Sequence, residues 1–398
     1  MKVGVLTLPL HTNYGGNLQA YALVTTLKNL GHDAWLIRWE KDRTPSWKAP
    51  LTIAKRLFLK YISGKTGIEV GSGIFDRRKR AAIEKHAKGF INRHISPQTK
   101  GFRSTRALAR HVSRYHFDTI VVGSDQVWRP APNVEDYFLG FLDKTGGTAR
   151  RVAYAASFGT DQWTFSPSQH QVCARQLKKF DAVSVREDTG VILCRQHFGV
   201  QAEHVIDPTM LLQRNHYVDL AWDGYPSAAR SGGKGLFVYV LDADPDKTSA
   251  VDYIANSLGL SSFAVDTSTK DNAVSLDKLA VPPVENWLRA FDEADFVVTD
   301  SFHGCAFSII FNKPFIAYGN KSRGLSRFES LLRTFRLDDR LVSSSAALSS
   351  GILHHPIDWL SVNNLLDARR AEAITFLMDA LATRVNHTQS NIDGRHHN

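Results

Sequence analysis

Short apolar segments that end in polar or glycine-containing turns recur along this 398-residue chain and limit the folds that it can adopt. The first covers residues 2–8, and a stretch with helical spacing separates it from the second, at residues 33–39. A strand, a helix and a strand at this spacing predict a βαβ unit and hence a parallel sheet. Four more such segments follow, FDTIVV, RVAYAAS, DAVSV and EHVI. We therefore predict an α/β domain in the first half of the chain.

A stretch rich in glycine, serine and alanine, residues 222–235, separates this series from a second one. The second series contains the apolar segments LFVYVLD, DFVVTD and KPFIAYG, with helix-like stretches between them. We predict two Rossmann-like α/β domains that face a cleft. The first is residues 1–222, with a basic insert at 41–118, and the second is residues 223–385, ending in a long amphipathic helix. The polar tail, residues 386–398, is expected to be disordered.

The basic insert determines the sign of the chain's charge. Residues 41–118 hold 19 lysine and arginine residues against 5 acidic ones, and the whole chain has a net charge of +10. Such a segment can attract nucleic acid, anionic lipid or an anionic substrate. The chain has no helix-turn-helix, zinc-finger or aromatic ribonucleoprotein motif, so we expect no nucleic-acid partner. Residues 51–65 can form an interfacial helix on an anionic membrane; a helix packed on its own domain with a solvated basic face is the alternative.

Cysteine usage and the N-terminal sequence indicate a reducing compartment. The three cysteines form no CxxC pair, and the N-terminus lacks the features of a secretory signal. No run of about 18 apolar residues occurs. We therefore expect a cytoplasmic protein without a membrane span, at most peripheral at the inner face of the membrane. The two His-His pairs have no spaced acidic or cysteine partners, so we predict no metal and no cofactor.

Ligands of open parallel sheets bind outside the carboxyl ends of the strands, so the polar residues that follow each apolar segment are the site candidates. After the first segment, the start of a helix offers free N–H groups that favour an anion, and a tight turn capped by Asn17 is the structural alternative. After FDTIVV comes a loop whose polar density exceeds what helix capping requires. The candidates in these two places are Asn13, Gly15, Gly16, Asn17, Ser124 and Asp125.

Charged residues follow other strands of both domains. Arg186 lies directly after DAVSV, at a helix start, where a cation is unfavourable unless an anion shares the position; a paired neighbouring carboxylate is the alternative. Asp207 precedes Pro208, and we interpret it as a helix cap. The candidates of the second domain are Asp300, Ser301, His303 and Gly304 after one strand, and Lys321, Arg323 and Arg327 after the next. The rule for strand ends predicts that residues 300–304 lie at the mouth of the cleft and not in a core.

Taken together, these stretches resemble the polysaccharide pyruvyl transferase family. The matching pieces, in order, are NYGGNLQAYAL, VVGSDQVW, YAASFG, VSVRED, DPTML and DSFHGCAFSIIFNKPFIAY. The resemblance implies a GT-B-like fold, phosphoenolpyruvate as donor, and a glycan or lipid-linked saccharide of a capsule, exopolysaccharide or cell-wall polymer as acceptor. It also implies that the product is a cyclic pyruvate ketal. The proposed catalytic and donor-binding residues of the family fall on His303 and Arg186.

The residues offer the groups that this chemistry needs. Ketal formation at C2 of phosphoenolpyruvate requires a proton on C3, for which histidine is a suitable acid. Arginine can hold the donor carboxylate or phosphate in a fork. We assign the second anionic end of the donor to Lys321, Arg323 or Arg327, and the acceptor hydroxyl to Asp125 or Asp300.

Two other functions fit the same features. A GT-B-type glycosyltransferase that uses a nucleotide sugar shares the fold, and a basic cleft suits it. A non-catalytic protein that keeps the cleft for an anionic ligand is the second. A thermal-shift screen with phosphoenolpyruvate and a nucleotide sugar separates the first from a pyruvyl transferase, and phosphate release in the presence of acceptor separates the second. The sequence makes no prediction of the acceptor sugar or the oligomeric state.

Overall fold

A computed structural model describes residues 1–40, 77–145, 148–224, 235–265, 280–319 and 324–382. Two parallel sheets organise these residues. The basic residues 41–76, most of the predicted linker, Lys321, Arg323 and the tail from residue 386 lie outside the described residues. The predicted helix at 51–65 therefore remains a prediction.

The first sheet has six strands in the order β2-β1-β3-β4-β5-β6. They are β1 (Lys2–Leu6), β2 (Asp33–Ile37), β3 (Thr119–Val122), β4 (Arg150–Ala156), β5 (Ala182–Val185) and β6 (Glu203–His204). All neighbouring strands pair in parallel. The central β3 is buried at every position, as expected of an apolar strand that helices cover on both faces.

The second sheet has five strands in the order β11-β10-β9-β7-β8. They are β7 (Leu236–Tyr239), β8 (Ser262–Phe263), β9 (Phe296–Thr299), β10 (Phe315–Tyr318) and β11 (Leu341–Val342). Its strands also pair in parallel. The two sheets confirm the prediction of two parallel α/β units.

Helices connect the strands and cover both sheets. In the first unit they are α1 (Tyr14–Asn29), α2 (Arg77–Ile83), α3 (Lys85–His94), α4 (Thr105–Val112), α5 (Pro167–Leu177), α6 (Asp188–Leu193) and α7 (Arg214–Trp222). In the rest of the chain they are α8 (Pro245–Leu258), α9 (Val284–Glu293), α10 (Phe302–Ile310), α11 (Ser326–Thr334), α12 (Ser350–His354) and α13 (Trp359–Leu381).

The long final helix, α13, contacts the first sheet, although the sequence groups it with the second domain. The rings of Phe376 and Tyr154 of β4 lie 6.2 Å apart. Arg370 Nε donates to the carbonyl of Met210, at 3.1 Å. An amphipathic pattern predicts that a helix buries one face, but the pattern does not identify the surface that receives it.

Helix α1 begins earlier than the sequence predicts if Asn17 caps the turn. Asn13, and not Asn17, is the N-cap: its backbone is extended and its side chain accepts a hydrogen bond from Gly16 N at 3.2 Å. The two glycines therefore lie inside the first turn of α1. This start places the N-terminal end of α1 against the second unit, as described next.

Candidate active site

His303 lies in the first turn of α10, just beyond the carboxyl end of β9. The prediction that residues 300–304 lie at the mouth of the cleft and not in a core is wrong, because His303 is only 7% exposed and Asp300 is fully buried. The first turn of α1, from the other unit, covers the imidazole. A Cβ added to Gly15 would lie 2.1 Å from His303 Nδ1, so only glycine permits this approach.

Replacing Gly15 with alanine is therefore expected to separate α1 from His303. We expect Gly15→Ala to destabilise the protein by about 1–3 kcal/mol, as overpacking does, and to reduce its activity. Chemical denaturation measures the stability, and phosphate release from phosphoenolpyruvate, the reaction that the family resemblance implies, measures the activity. Gly89→Ala, in α3, is the matched control, since a Cβ added there would meet no atom within 4 Å. Equal stability and activity of the two variants would contradict the close packing of α1 on the imidazole.

Arg186 follows β5 and extends from the first unit toward the second. Its side chain is 1% exposed; Nη1 donates to Asp207 Oδ2 at 2.8 Å, and Nε donates to Glu187 Oε1 at 3.3 Å. The guanidinium carbon lies 4.2 Å from the ring centroid of Phe302, the residue before His303. Arg186 is therefore paired with neighbouring carboxylates, as the structural alternative from the sequence predicts. The pairing leaves Nη2 buried without a hydrogen-bond partner among the described residues.

Asp207 connects Arg186 to His303. Its Oδ1 accepts hydrogen bonds from the amide and hydroxyl of Thr209, which is the capping role that the sequence predicted. Its Oδ2 accepts from Arg186 and from Ser124 Oγ, at 3.0 Å, and lies 3.9 Å from His303 Nε2. Sequence reasoning missed this second role because capping already explained the Asp-Pro pair. The position of Asp207 just after β6 was the signal that could have found it.

Burial and charge together set the ionisation of this cluster. Burial lowers the pKa of His303, and Arg186 lowers it further, although Asp207 raises it in part. The pKa of the Asp207 carboxyl is lowered, because His303 and Arg186 outweigh the cost of burying its charge. For Arg186, the neighbouring Glu187 and Asp207 outweigh the effect of burial and raise its pKa. Of these three groups, the His303 imidazole is the one that most readily gains or loses a proton.

Arg327 supplies a second buried cation from the second unit. It lies on α11, is 6% exposed, and burial together with the charge of Arg186 lowers its pKa to about 10. The two guanidinium groups therefore act on each other electrostatically, and an anion beside them would relieve this repulsion. The other two basic candidates of this region, Lys321 and Arg323, lie outside the described residues.

The remaining candidates divide into two groups. Asp125 has a positive φ of 77°, lines a cavity in the first unit, and acts electrostatically on His303, Arg186 and Arg327. Asp300 accepts hydrogen bonds from Leu241 N, Asp242 N and Lys247 Nζ, so its carboxylate is engaged in holding the segment after β7. We therefore assign Asp300 a structural role.

Small residues complete the junction around α10. Ser301 is the N-cap of α10, but its side chain makes no capping hydrogen bond. A Cβ added to Gly304 would lie 2.0 Å from Thr299 Oγ1, so this glycine lets α10 approach the end of β9. Asn17 is fully buried, and its Nδ2 donates to the carbonyl of His11 at 2.7 Å.

Two further structural findings concern the described residues only. They contain no group of three or more histidine, cysteine, aspartate or glutamate side chains placed to hold a metal ion. Among their helices, none combines the length and apolar character needed to cross a membrane.

The fold and the cluster define a two-unit α/β protein of the GT-B-like class, with basic groups and a histidine buried where the units meet. A family model described as polysaccharide pyruvyl transferase matches residues 13–322. The chain belongs to the polysaccharide pyruvyl transferase family, whose members are transferases of polysaccharide modification. A search of curated protein sequences finds no match.

Solved structures show the same fold. One is a structure from Listeria monocytogenes described as a UDP-N-acetylglucosamine 2-epimerase, with 9% identity, 95% of each chain covered and a TM-score of 0.53. Another is the UDP-GlcNAc 2-epimerase from Neisseria meningitidis, with 7% identity, 96% of this chain and 99% of that chain covered and a TM-score of 0.49. At 9% identity the likeness to the Listeria structure concerns the fold alone, and it agrees with the predicted GT-B-like class.

Proposed function

We propose that the protein transfers pyruvyl from phosphoenolpyruvate to a sugar of a cell-surface polysaccharide or its lipid-linked precursor, forming a cyclic ketal. The observation that carries the proposal is the buried cluster of Arg186, Arg327 and His303. It combines two cations with an imidazole whose Nε2 has no hydrogen-bond partner among the described residues. A small dianionic or trianionic donor with a protonatable carbon suits these groups.

The reaction can be written on this cluster with its atoms balanced. His303 Nε2 gives a proton to C3 of the donor, and C2 becomes cationic in character. A sugar hydroxyl adds to C2, the bond from C2 to the phosphate oxygen breaks, and a second hydroxyl of the same sugar closes the ring. The two hydroxyl protons go to the released phosphate and back to His303. Each cycle therefore converts one donor and one diol into one ketal and one phosphate.

Each neighbour of the imidazole has a separate task in this scheme. Arg186 and Arg327 bind the carboxylate and phosphate of the donor, and Arg186 Nη2 offers a donor hydrogen that no described residue takes. Asp207, 3.9 Å from Nε2, stabilises the imidazolium and positions the ring. Since Arg186 and His303 are buried, the donor enters when the two units move apart, and closure around it excludes water.

A proton should be taken up when the donor binds. Because burial lowers the pKa of His303, the imidazole of the empty site is neutral near neutral pH. The negative charge of the donor raises this pKa, so binding draws a proton, and the affinity for phosphoenolpyruvate increases as the pH falls toward the pKa of the imidazole in the complex. Calorimetric titrations in buffers of different ionisation enthalpy measure the uptake.

His303→Gln is the control for this titration. Protonation of the donor phosphate itself contributes in both proteins, so the difference between them isolates His303. We expect less proton uptake by the variant. Equal uptake by the two proteins would contradict the assignment of the proton to His303.

The direct test of the function is phosphate release from phosphoenolpyruvate with an acceptor screen. The expected result is phosphate release that depends on acceptor, together with a pyruvate adduct of the acceptor detected by mass spectrometry. Transfer from a nucleotide sugar without any reaction of phosphoenolpyruvate would replace the proposal by the glycosyltransferase alternative. Binding of phosphoenolpyruvate without phosphate release in the presence of any acceptor would favour the non-catalytic alternative.

We also propose that the basic insert, residues 41–118, contacts an anionic membrane surface. Within the described part of the basic insert, Lys100, Arg110 and Arg114 together lower the pKa of His111, so their charges lie close to one another. Partial burial of the imidazole is the larger cause of the lowered pKa, and the three cations add to it. A concentration of positive charge on the surface suits an anionic membrane that carries a lipid-linked acceptor.

A further inference from the structure

A cavity of about 340 Å³ opens in the first unit beside the catalytic cluster. The segment after β1, the first turns of α1 and the segment after β3 form its walls. Its volume falls within the range of about 300–1,000 Å³ that is typical of small-molecule sites. The cluster of Arg186, Arg327 and His303 does not line it, so the cavity offers space that the donor scheme leaves unused.

Amide side chains dominate the polar lining of the cavity. They are Asn13, Asn17, Gln19, Gln126 and Asn133. Each amide offers both a hydrogen-bond donor and an acceptor, which matches the hydroxyl groups of an uncharged sugar. Leu8, Val127 and Pro130 add apolar surface for the carbon face of a ring. Charged side chains are few, namely Asp125 and Arg129, in contrast to the cationic cluster next to it.

Two of these amides are buried and have an oxygen that no described residue satisfies. Asn17 and Gln19 are at most 1% exposed, and neither Asn17 Oδ1 nor Gln19 Oε1 has a hydrogen-bond partner. Their amide nitrogens are engaged, with His11 O at 2.7 Å and with Thr7 Oγ1 at 2.9 Å. These contacts fix the orientation of both amides, so the oxygens remain acceptors for hydroxyl donors.

Asp125 joins the cavity to the catalytic cluster. It lines the cavity, and its charge also acts on His303, Arg186 and Arg327. Its backbone oxygen accepts from Val127 N and Ser157 N, which holds the residue in its positive-φ conformation. A hydroxyl group that meets Asp125 from the cavity therefore faces the place assigned to the donor.

We infer that this cavity is the acceptor site, that it takes an uncharged saccharide unit, and that the unit presents its hydroxyls to Asp125. The inference rests on the proposed function, since it places the acceptor of that reaction. It also reassigns Asn13 and Asn17, which sequence reasoning attributed to anion binding. The donor and acceptor then occupy separate subsites, a cationic one between the units and a neutral one in the first unit.

Filling the cavity tests this inference. Ala131 lines the cavity, and Ala131→Trp places an indole there; Ala81→Trp, at an exposed position of α2 outside the lining, is the matched control. The probes are the methyl glycosides of glucose, galactose, mannose and N-acetylglucosamine, observed by saturation-transfer NMR. Calorimetry measures phosphoenolpyruvate binding to the same proteins. A milder variant, Asn133→Leu, removes one amide of the lining and serves if the tryptophan variant does not fold.

The expected result is saturation transfer to at least one glycoside from the natural protein and from Ala81→Trp. We expect loss of this transfer in Ala131→Trp, or a several-fold weaker signal in Asn133→Leu, with phosphoenolpyruvate affinity unchanged. Three results would overturn the inference: no glycoside bound by the natural protein, glycoside binding by both lining variants at its natural strength, or loss of phosphoenolpyruvate binding with the cavity filled. If glycosides bind in the cavity but phosphoenolpyruvate never binds, the proposed function fails while the cavity remains a saccharide site.

Discussion

His303→Gln is expected to reduce acceptor-dependent phosphate release by about 10²–10⁴-fold, the usual contribution of a general acid. Glutamine resembles histidine in size and keeps hydrogen-bonding capacity, but its amide cannot donate a proton to carbon. The fold should survive, because the imidazole Nε2 makes no hydrogen bond among the described residues that the variant would lose. The measurements are initial rates of phosphate release and the free energy of unfolding.

His216→Gln is the control for this variant. His216 is a partly buried histidine whose Nε2 lies 2.5 Å from Tyr21 Oη, and it is not part of the cluster of Arg186, Arg327 and His303. We expect its variant to retain its rate of phosphate release. A folded His303→Gln protein with a near-normal rate would remove His303 from the role of proton donor.

Arg186→Lys has the second-largest expected effect, a fall of about 10–100-fold in kcat/KM for phosphoenolpyruvate. Lysine keeps the positive charge beside Asp207 and Glu187, but it cannot contact them and also offer the fork that the donor anion needs. Loss of one charged hydrogen bond, about 1.5–3 kcal/mol, corresponds to this range. Steady-state kinetics with varied donor concentration measure the change.

Arg151→Lys is the matched control for the arginine variant. Arg151 is also a buried arginine of the first sheet, with Nη2 2.8 Å from Asp143 Oδ1 and Nη1 3.0 Å from Gln176 Oε1. We expect Arg151→Lys to lower stability without a change in KM for the donor. If Arg186→Lys behaved in the same way, Arg186 would be a structural residue, as its carboxylate pairs alone would indicate.

The rule for strand ends accounts for what the sequence could predict of this site. Parallel strands of one sheet place their carboxyl ends at one edge, so the rule selects Arg186 after β5 in one unit and His303 after β9 in the other. The same rule selects Asp207 after β6, although the Asp-Pro pair by itself predicts only a helix cap. A residue can cap a helix with one oxygen and serve a cluster with the other, as Asp207 does.

The sequence does not predict which residues of the two units contact one another. Local sequence patterns do not predict that α1 covers His303. The sequence therefore predicts a cleft mouth at a place where the structure has a buried contact between the two units. The same limit applies to α13, whose apolar face packs on the first sheet. It also applies to Asp300, whose carboxylate is occupied by a segment about 60 residues earlier in the chain.

The central claim is that a phosphoenolpyruvate-sized anion binds between Arg186, Arg327 and His303. Calorimetric titration of the full chain with phosphoenolpyruvate tests it most directly, with a nucleotide sugar as the comparison ligand. The account predicts saturable binding of phosphoenolpyruvate that is strongly weakened in Arg186→Lys and in Arg327→Met and unchanged in Arg151→Lys. Absence of saturable binding, or equal binding by all four proteins, would contradict it.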